Sequence, residues 1–370
     1  MKIFPVGASL VGALALSLVA CGDDSSSNVS ENRPSSYENT SSSSGDTIAY
    51  ATPPTLSCEN VSFLPVYRGE EGTVLDSSYS VKQIIFRENG DVVLLGDVQD
   101  YEQTKGFGVW TDEYYFGNDY NTNESAFMYY GLCTKGKTSI VQRRSPDGMY
   151  KICVSKDDAE SWNCSLSDSN LYYLACDDDY FYLQKDNNIT YSADGITWNA
   201  LDFPDSTINE LVSGNRIRNA FSEDSLHFIF MTSGAYLLYS SDMVHWNYAT
   251  VPVTQSGTKI AYGNGVYVYV GAWGQLLYST DLVEWKKTNI VCESCSPWYE
   301  DIIFANGMFV AVGSANSFTT SKILMTSKNG KDFAAQDACG PASDYDLVRY
   351  GNGKFYVLNG WSLITFQTEP

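Results

Sequence analysis

Four carboxylates in two close pairs are the side chains of this sequence best placed to do chemistry: Glu300 beside Asp301, and Asp344 separated from Asp346 by Tyr345. Two carboxyl groups flanking one bond can act as acid and base, or as acid and nucleophile, in glycoside hydrolysis. The same oxygens can accept hydrogen bonds from sugar hydroxyls or hold a hard cation such as Ca²⁺. Aromatic residues crowd the same stretches. Trp298 and Tyr299 precede the first pair, Trp273 sits in Gly271-Ala272-Trp273-Gly274, and Trp361 follows Asn359-Gly360. Large flat rings offer apolar area with a polar handle and stack on the CH faces of sugars. Arg218 adds a cation. With 2 His in 370 residues, a His-ligated metal or a His-dependent triad is not expected. No cofactor is expected either, Ca²⁺ being the one ion these carboxylates would suit.

Lys+Arg number 23 and Asp+Glu 44, a net charge of −21. Nucleic-acid binding, which runs on cations neutralising phosphates, is excluded as a reading, and so is unaided docking on anionic lipid. Nothing in the chain matches Gly-x-Ser-x-Gly, His-Glu-x-x-His or a phosphate loop.

The N-terminus reads as an address. Lys2 is followed by the apolar and small run Ile3 to Ala20, a secretory leader over residues 1–20. The string Leu18-Val19-Ala20-Cys21 resembles the bacterial lipobox. That resemblance implies lipidation of Cys21 and a place in the cell envelope, in the outer membrane, facing the periplasm or the surface. Several acyl chains anchor where one is marginal. Residues 22–57, rich in Ser, Asn, Asp, Thr and Pro, cannot bury enough surface to offset their ordering entropy. With Cys21 they form an expected tether over 21–57, ahead of a domain over 58–370.

Eight further Cys suit the disulfide chemistry of an exported domain. Cys153 and Cys164 flank one tight turn and are expected to face each other. Cys292-x-x-Cys295 lacks a thioredoxin-like context and a second Cys pair, so it reads as a structural pair and not a redox or zinc site.

A repeated turn organises the domain. Ser192-Ala-Asp194-Gly-Ile-Thr-Trp198, Ser240-Ser-Asp242-Met-Val-His-Trp246 and Ser279-Thr-Asp281-Leu-Val-Glu-Trp285 are three copies. Ser155-Lys-Asp157-Asp-Ala-Glu-Ser-Trp162 has one extra residue, and Ser327-Lys-Asn329-Gly-Lys-Asp-Phe333 is worn. Asp and Ser side chains hold such turns by bonding nearby amides. A second series of turn residues, Gly90, Gly136, Asp178, Asp224, Gly265, Gly307 and Gly353, recurs about every 44 residues between strand-like runs. The Ser-x-Asp-x-x-x-Trp string resembles the Asp-box of sialidase-like β-propellers. The resemblance implies an all-β, seven-bladed propeller over residues 58–370, six blades being the second choice. The Asp157/Trp162, Asp194/Trp198, Asp242/Trp246 and Asp281/Trp285 pairs are then structural turns.

Six blades fit between about residues 79 and 341, and a seventh with three strands begins near Asp344. The run Asn60–Tyr67 is expected to supply the missing strand and leave no raw edge. No amphipathic helix is expected. Sialidases carry an arginine triad; Val66-Tyr67-Arg68-Gly69 lacks the motif of its first member, so the resemblance stops at the scaffold.

In such an array Trp273, Trp298 and Trp361 would fall on one face, with Tyr299, Tyr345, Arg218 and the four carboxylates. Asp177-Asp178-Asp179 would lie on the opposite face and be merely solvated. The expected function is binding of a polysaccharide or protein partner by a monomeric, lipid-anchored protein. A glycoside hydrolase using Glu300, Asp301, Asp344 and Asp346, and a scaffold without small ligand, are the alternatives.

Overall fold

The computed structural model describes residues 54–63, 78–99, 104–110, 128–144, 150–166, 173–223, 225–231, 236–253, 257–271, 274–291, 297–314, 322–341, 344–359 and 362–368. The chain divides into two units, residues 1–48 and 49–370, and every described residue belongs to the second. The expected leader, Cys21, the tether up to residue 53, Trp273, Trp361, Cys292 and Cys295 lie outside the described residues.

Among the described residues seven sheets follow one another in chain order. The first holds Ser78–Phe86, Val92–Gln99 and Thr104–Trp110. The second runs from Met128–Lys135 to Asn163–Leu166, the third from Tyr173–Cys176 to Asn199–Leu201, and the fourth from Ile217–Glu223 to Asn247–Thr250. The fifth runs from Gly257–Gly263 to Lys286–Lys287, and the sixth from Trp298–Ala305 to Asp332–Ala335, with Asn289–Val291 added in parallel. The seventh holds Leu347–Gly351, Lys354–Asn359 and Ser362–Thr368. Each is a meander in which strands pair with their sequence neighbours. Asn264-Gly265, Asn306-Gly307 and Asn352-Gly353 join first to second strands with positive φ at both residues, the tight hairpin turn that Asn-Gly favours.

The first strands stand side by side. Ser78–Phe86 neighbours Met128–Lys135, the series continues sheet by sheet to Leu347–Gly351, and that strand lies beside Ser78–Phe86. The second strands are apolar on both faces because each sheet is sandwiched. Every residue of Met308–Ser314 is buried. Its Phe309 and Ala311 pack toward the fifth sheet, while Met308, Val310 and Val312 pack toward the seventh. First and last sheets meet likewise, Ile84, Val92 and Leu94 against Leu347, Tyr356 and Leu358.

The N-terminal strand is Leu56–Phe63, paired antiparallel with Ser362–Thr368 as the fourth strand of the seventh sheet. It starts two residues inside the expected tether, because Leu56 is 2% exposed and belongs to the core. The Cys58–Cys339 disulfide and a 2.8 Å Glu59–Lys354 ion pair fasten it. Cys153 and Cys164 face each other across a hairpin and are bonded, and Cys133–Cys176 links the first strands of the second and third sheets.

The described residues include one helix, Ser206–Gly214, where none was expected. The Asp205 carboxylate accepts a 2.7 Å bond from the Thr207 amide, and Ile208 and Val212, one turn apart, are buried between the third and fourth sheets.

Candidate functional site

The five repeated turns share one hydrogen-bond pattern. Serine Oγ donates to the carboxylate two residues on, at 3.0 Å for Ser192–Asp194 and 3.1 Å for both Ser240–Asp242 and Ser279–Asp281. The carboxylate in turn accepts successive amides, such as Ile196 and Thr197 on Asp194, both at 2.8 Å. Asp157 is bonded by the Ser161 amide at 2.9 Å in the longer copy. In the worn copy Asn329 takes the carboxylate's place. These bonds hold Met243 and Leu282 at positive φ, an uncommon region for non-glycine residues. Backbone amides keep the Asp194 and Asp281 carboxyls below their ordinary range, and His245 with its own amide does so for Asp242. The tryptophans join apolar clusters shared with the preceding sheet: Trp162 packs against the cluster of Ile85 and Val93, Trp198 against that of Cys133, Ile140 and Phe181, and Trp285 against that of Phe228, while Trp246 belongs to the cluster of Tyr182.

At the centre of the first strands lies a cavity of about 310 Å³ whose lining includes Gln83, Arg218, Lys259 and Arg349. A bulge recurs at one level of the first strands in the first, second, fourth, fifth and sixth sheets, at Lys82, Tyr130, Arg218, Thr258 and Glu300. Bulges re-aim side chains. Asp301, next after its bulge, is 1% exposed and bonded by Lys259 Nζ and Arg349 Nη1, both at 2.6 Å. The Ile302 and Val348 amides add bonds of 2.9 and 3.1 Å. Burial alone would raise the Asp301 carboxyl; the two cations reverse this and hold it below its ordinary value. Asp301 is therefore a structural counter-ion, and its expected place among catalytic carboxylates is corrected.

The other three carboxylates gather at the N-terminal ends of the sixth and seventh sheets' first strands. Glu300 and Asp346 are exposed and Asp344 is half-buried. Burial, then the like charges of Asp346 and Asp344, raises the Glu300 carboxyl; the exposed Arg218 guanidinium opposes them. Burial and Asp346 raise the Asp344 carboxyl too, and Asp344 Oδ1 is buried without a hydrogen bond. A mixed-charge mouth results, in which Glu300, Asp344 and Asp346 lie near Arg218 among the described residues.

Two expected ligand-binding residues are corrected. Tyr299 is fully buried against Ile302 and Phe309. Tyr345 is fully buried as well; its hydroxyl donates to the Cys339 carbonyl at 2.7 Å and accepts the Cys339 amide at 3.0 Å. Burial pushes its pKa up to about 12. Neither ring can reach a ligand. Trp298 is half-buried at the mouth strand's first position.

Asp177 is also not the solvated residue expected. Its oxygens accept the Asp179 and Tyr180 amides at 2.8 and 2.6 Å and the Tyr182 hydroxyl at 2.6 Å, and His227 Nδ1 lies 2.9 Å away. Asp177, Asp179 and His227 offer ligand atoms within 4.8 Å of one another. Asp177 is nevertheless saturated by these partners, which marks it as the anchor of its turn. Composition missed a larger cavity, about 830 Å³, between the second and third sheets, where Trp162 and Trp198 both line the walls.

No family model matches the chain, and no curated protein matches it in sequence. Solved structures do match in fold. YCF48 bound to a D1 peptide is 13% identical with a TM-score of 0.55, covering 86% of this chain and 98% of that one. A streptogramin B lyase is 10% identical with a TM-score of 0.56, covering 84% and 98%. A virginiamycin B lyase from Staphylococcus aureus is 8% identical with a TM-score of 0.56, covering 84% and 99%. At such identities the likeness is one of fold, and that fold is the β-propeller.

Proposed function

We propose that this chain is a lipid-anchored envelope protein, an Asp-box-type propeller of seven blades closed by its N-terminal strand, that binds a macromolecular partner at the carboxylate mouth. The partner best fitted is a polypeptide segment carrying Lys or Arg. The observation that carries this reading is the cluster of Glu300, Asp344 and Asp346, in which burial, and then the like charges of the neighbours, raises the first two carboxyls. An incoming cation relieves that repulsion, and Glu300 and Asp346 are the members of the cluster exposed to meet it. The net charge of −21 steers such a partner inward. The propeller of YCF48 in complex with a D1 peptide supports a polypeptide partner by analogy of fold alone. The adjacency of the first and last first-strands, and the pairing of Leu56–Phe63 with Ser362–Thr368, support the closed ring. The three disulfides among the described residues fit an exported protein.

A second reading rests on the same raised Glu300. A carboxyl with a raised pKa is the better general acid of a pair, here toward a glycosidic oxygen, with Asp346 as base and a sugar stacked on Trp298. Reducing-sugar release from polysaccharides, abolished in Glu300→Gln, would favour it over the binding role.

The binding role is tested by crosslinking capture from envelope extracts. The bait is compared with a Glu300→Gln/Asp344→Asn/Asp346→Asn variant and with Glu88→Gln/Glu160→Gln/Glu284→Gln, exposed acids beyond the other strand ends. Loss of one crosslinked partner in the first variant only supports the reading; equal capture by all three overturns it.

A further inference from the structure

Three of the repeated turns carry apolar tips. Ile196, Val244 and Val283 hold one place in successive turns, two residues after Asp194, Asp242 and Asp281, and are 62, 55 and 81% exposed. With Tyr248, on the strand that follows the second of these turns, they are the large hydrophobic side chains most exposed among the described residues. A single exposed apolar residue is ordinary on a protein surface. Repetition at one position of three adjacent sheets makes a row.

Strand direction fixes the end of the sheets at which the row lies. Neighbouring first strands run the same way, Lys259 meeting Asp301 near their starts and Gly263 lying against the Phe304 ring near their ends. These strands start at the mouth, so the first and third strands of each meander run away from it. The repeated turns follow third strands and stand at the far end. The N-terminal strand begins at that same end. Leu56 pairs with Thr368, the last residue of the seventh sheet's third strand, and Phe63 pairs with Ser362, its first. The chain leading back to Cys21 therefore joins the domain on the face that carries the row, opposite the mouth.

We propose that Ile196, Val244 and Val283 dock this face on an uncharged stretch of the bilayer that holds the anchor, turning the mouth away from the membrane. The inference rests on the lipidation of Cys21 proposed above. A tether makes the contact intramolecular, at an effective concentration of about millimolar order, so a weak contact is populated. Apolar area entering the headgroup region supplies the attraction. Charge selects the lipid. The Asp194, Asp242 and Asp281 carboxylates at the same tips are each held by two amides of their own turn, and an anionic leaflet repels them.

Neutron reflectometry of the chain from Cys21 to Pro370, with its N-terminal Cys21 ligated to a thioester phospholipid in a phosphatidylcholine bilayer, tests the docking. Wild type is expected to lie against the headgroups. Ile196→Ser/Val244→Ser/Val283→Ser, with unchanged melting temperature, is expected to stand off behind a water layer of roughly 30 Å, the reach of residues 22–55 as a flexible chain. Added phosphatidylglycerol is expected to lift wild type as well. Wild type standing off on phosphatidylcholine overturns the proposal, as does a triple variant lying equally close or a contact that phosphatidylglycerol leaves unchanged. Dimerisation of unlipidated wild type that the variant loses would also overturn it, by giving the row to a second copy. The anchor is read separately, by mass spectrometry of Cys21 in the chain made with its leader in a bacterial host. An unacylated Cys21 there refutes the anchor and leaves the reflectometry, whose lipid is supplied by ligation, to decide the docking.

Discussion

Nζ of Lys259 lies 2.6 Å from Oδ1 of Asp301, and the two residues come from the first strands of adjacent sheets. Arg349, from the next sheet, holds the other oxygen. One buried carboxylate thus fastens three repeats. Removing one partner of a buried ion pair leaves charge uncompensated, at a cost of about 3–5 kcal/mol. Asp301→Asn is expected to lose stability on that scale in urea unfolding. Because the folded carboxyl is depressed, its stabilisation is present above the unfolded carboxylate range and is lost as pH falls through the folded value. The wild-type advantage over Asp301→Asn should therefore shrink on acidification.

The N-terminal strand offers a second test. Deleting residues 54–63 removes the strand paired with Ser362–Thr368 together with Cys58, whereas deleting 22–50 touches none of these. Thermal melts should show a large drop for the first deletion and none for the second. Cys58→Ser/Cys339→Ser is expected to cost about 2–5 kcal/mol, the usual range for a native disulfide.

The repeated turns predict an acid-labile scaffold. Asp194, Asp242 and Asp281 are all depressed by hydrogen bonds. Their contribution persists above the ordinary carboxylate range and disappears as pH falls through their folded values. Asp194→Ala should lower the melting temperature at pH 7 and change it less under strongly acidic conditions.

Glu300 behaves in the opposite sense. Its raised carboxyl binds a proton more readily in the folded state, so its strain is present at neutral pH and relieved as pH falls through the folded value. Glu300→Gln is expected to raise the melting temperature at pH 7 while weakening partner binding. A structural carboxylate would do the reverse.

Local chemistry made much of this scaffold legible. Ser192, Asp194 and Gly195 bond within one turn, and so do the other copies, so the period stood out in the sequence. The Cys153–Cys164 bridge was legible for the same reason. Asp301 was misread because its partners come from two other repeats, and neither spacing nor composition reports an ion pair across sheets. Tyr299 and Tyr345 look like ligand-binding aromatics in sequence, yet their strands turn them inward. Trp162 and Trp198 were assigned to their turns alone; that they also line a groove depends on how closely two sheets interlock.

Titration of the purified propeller with deca-lysine in 0.15 M salt tests the central claim most directly. Wild type and Glu88→Gln/Glu160→Gln/Glu284→Gln should bind alike, and Glu300→Gln/Asp344→Asn/Asp346→Asn at least tenfold more weakly. Equal losses in the two triple variants, or none in either, would contradict a partner site at the carboxylate mouth.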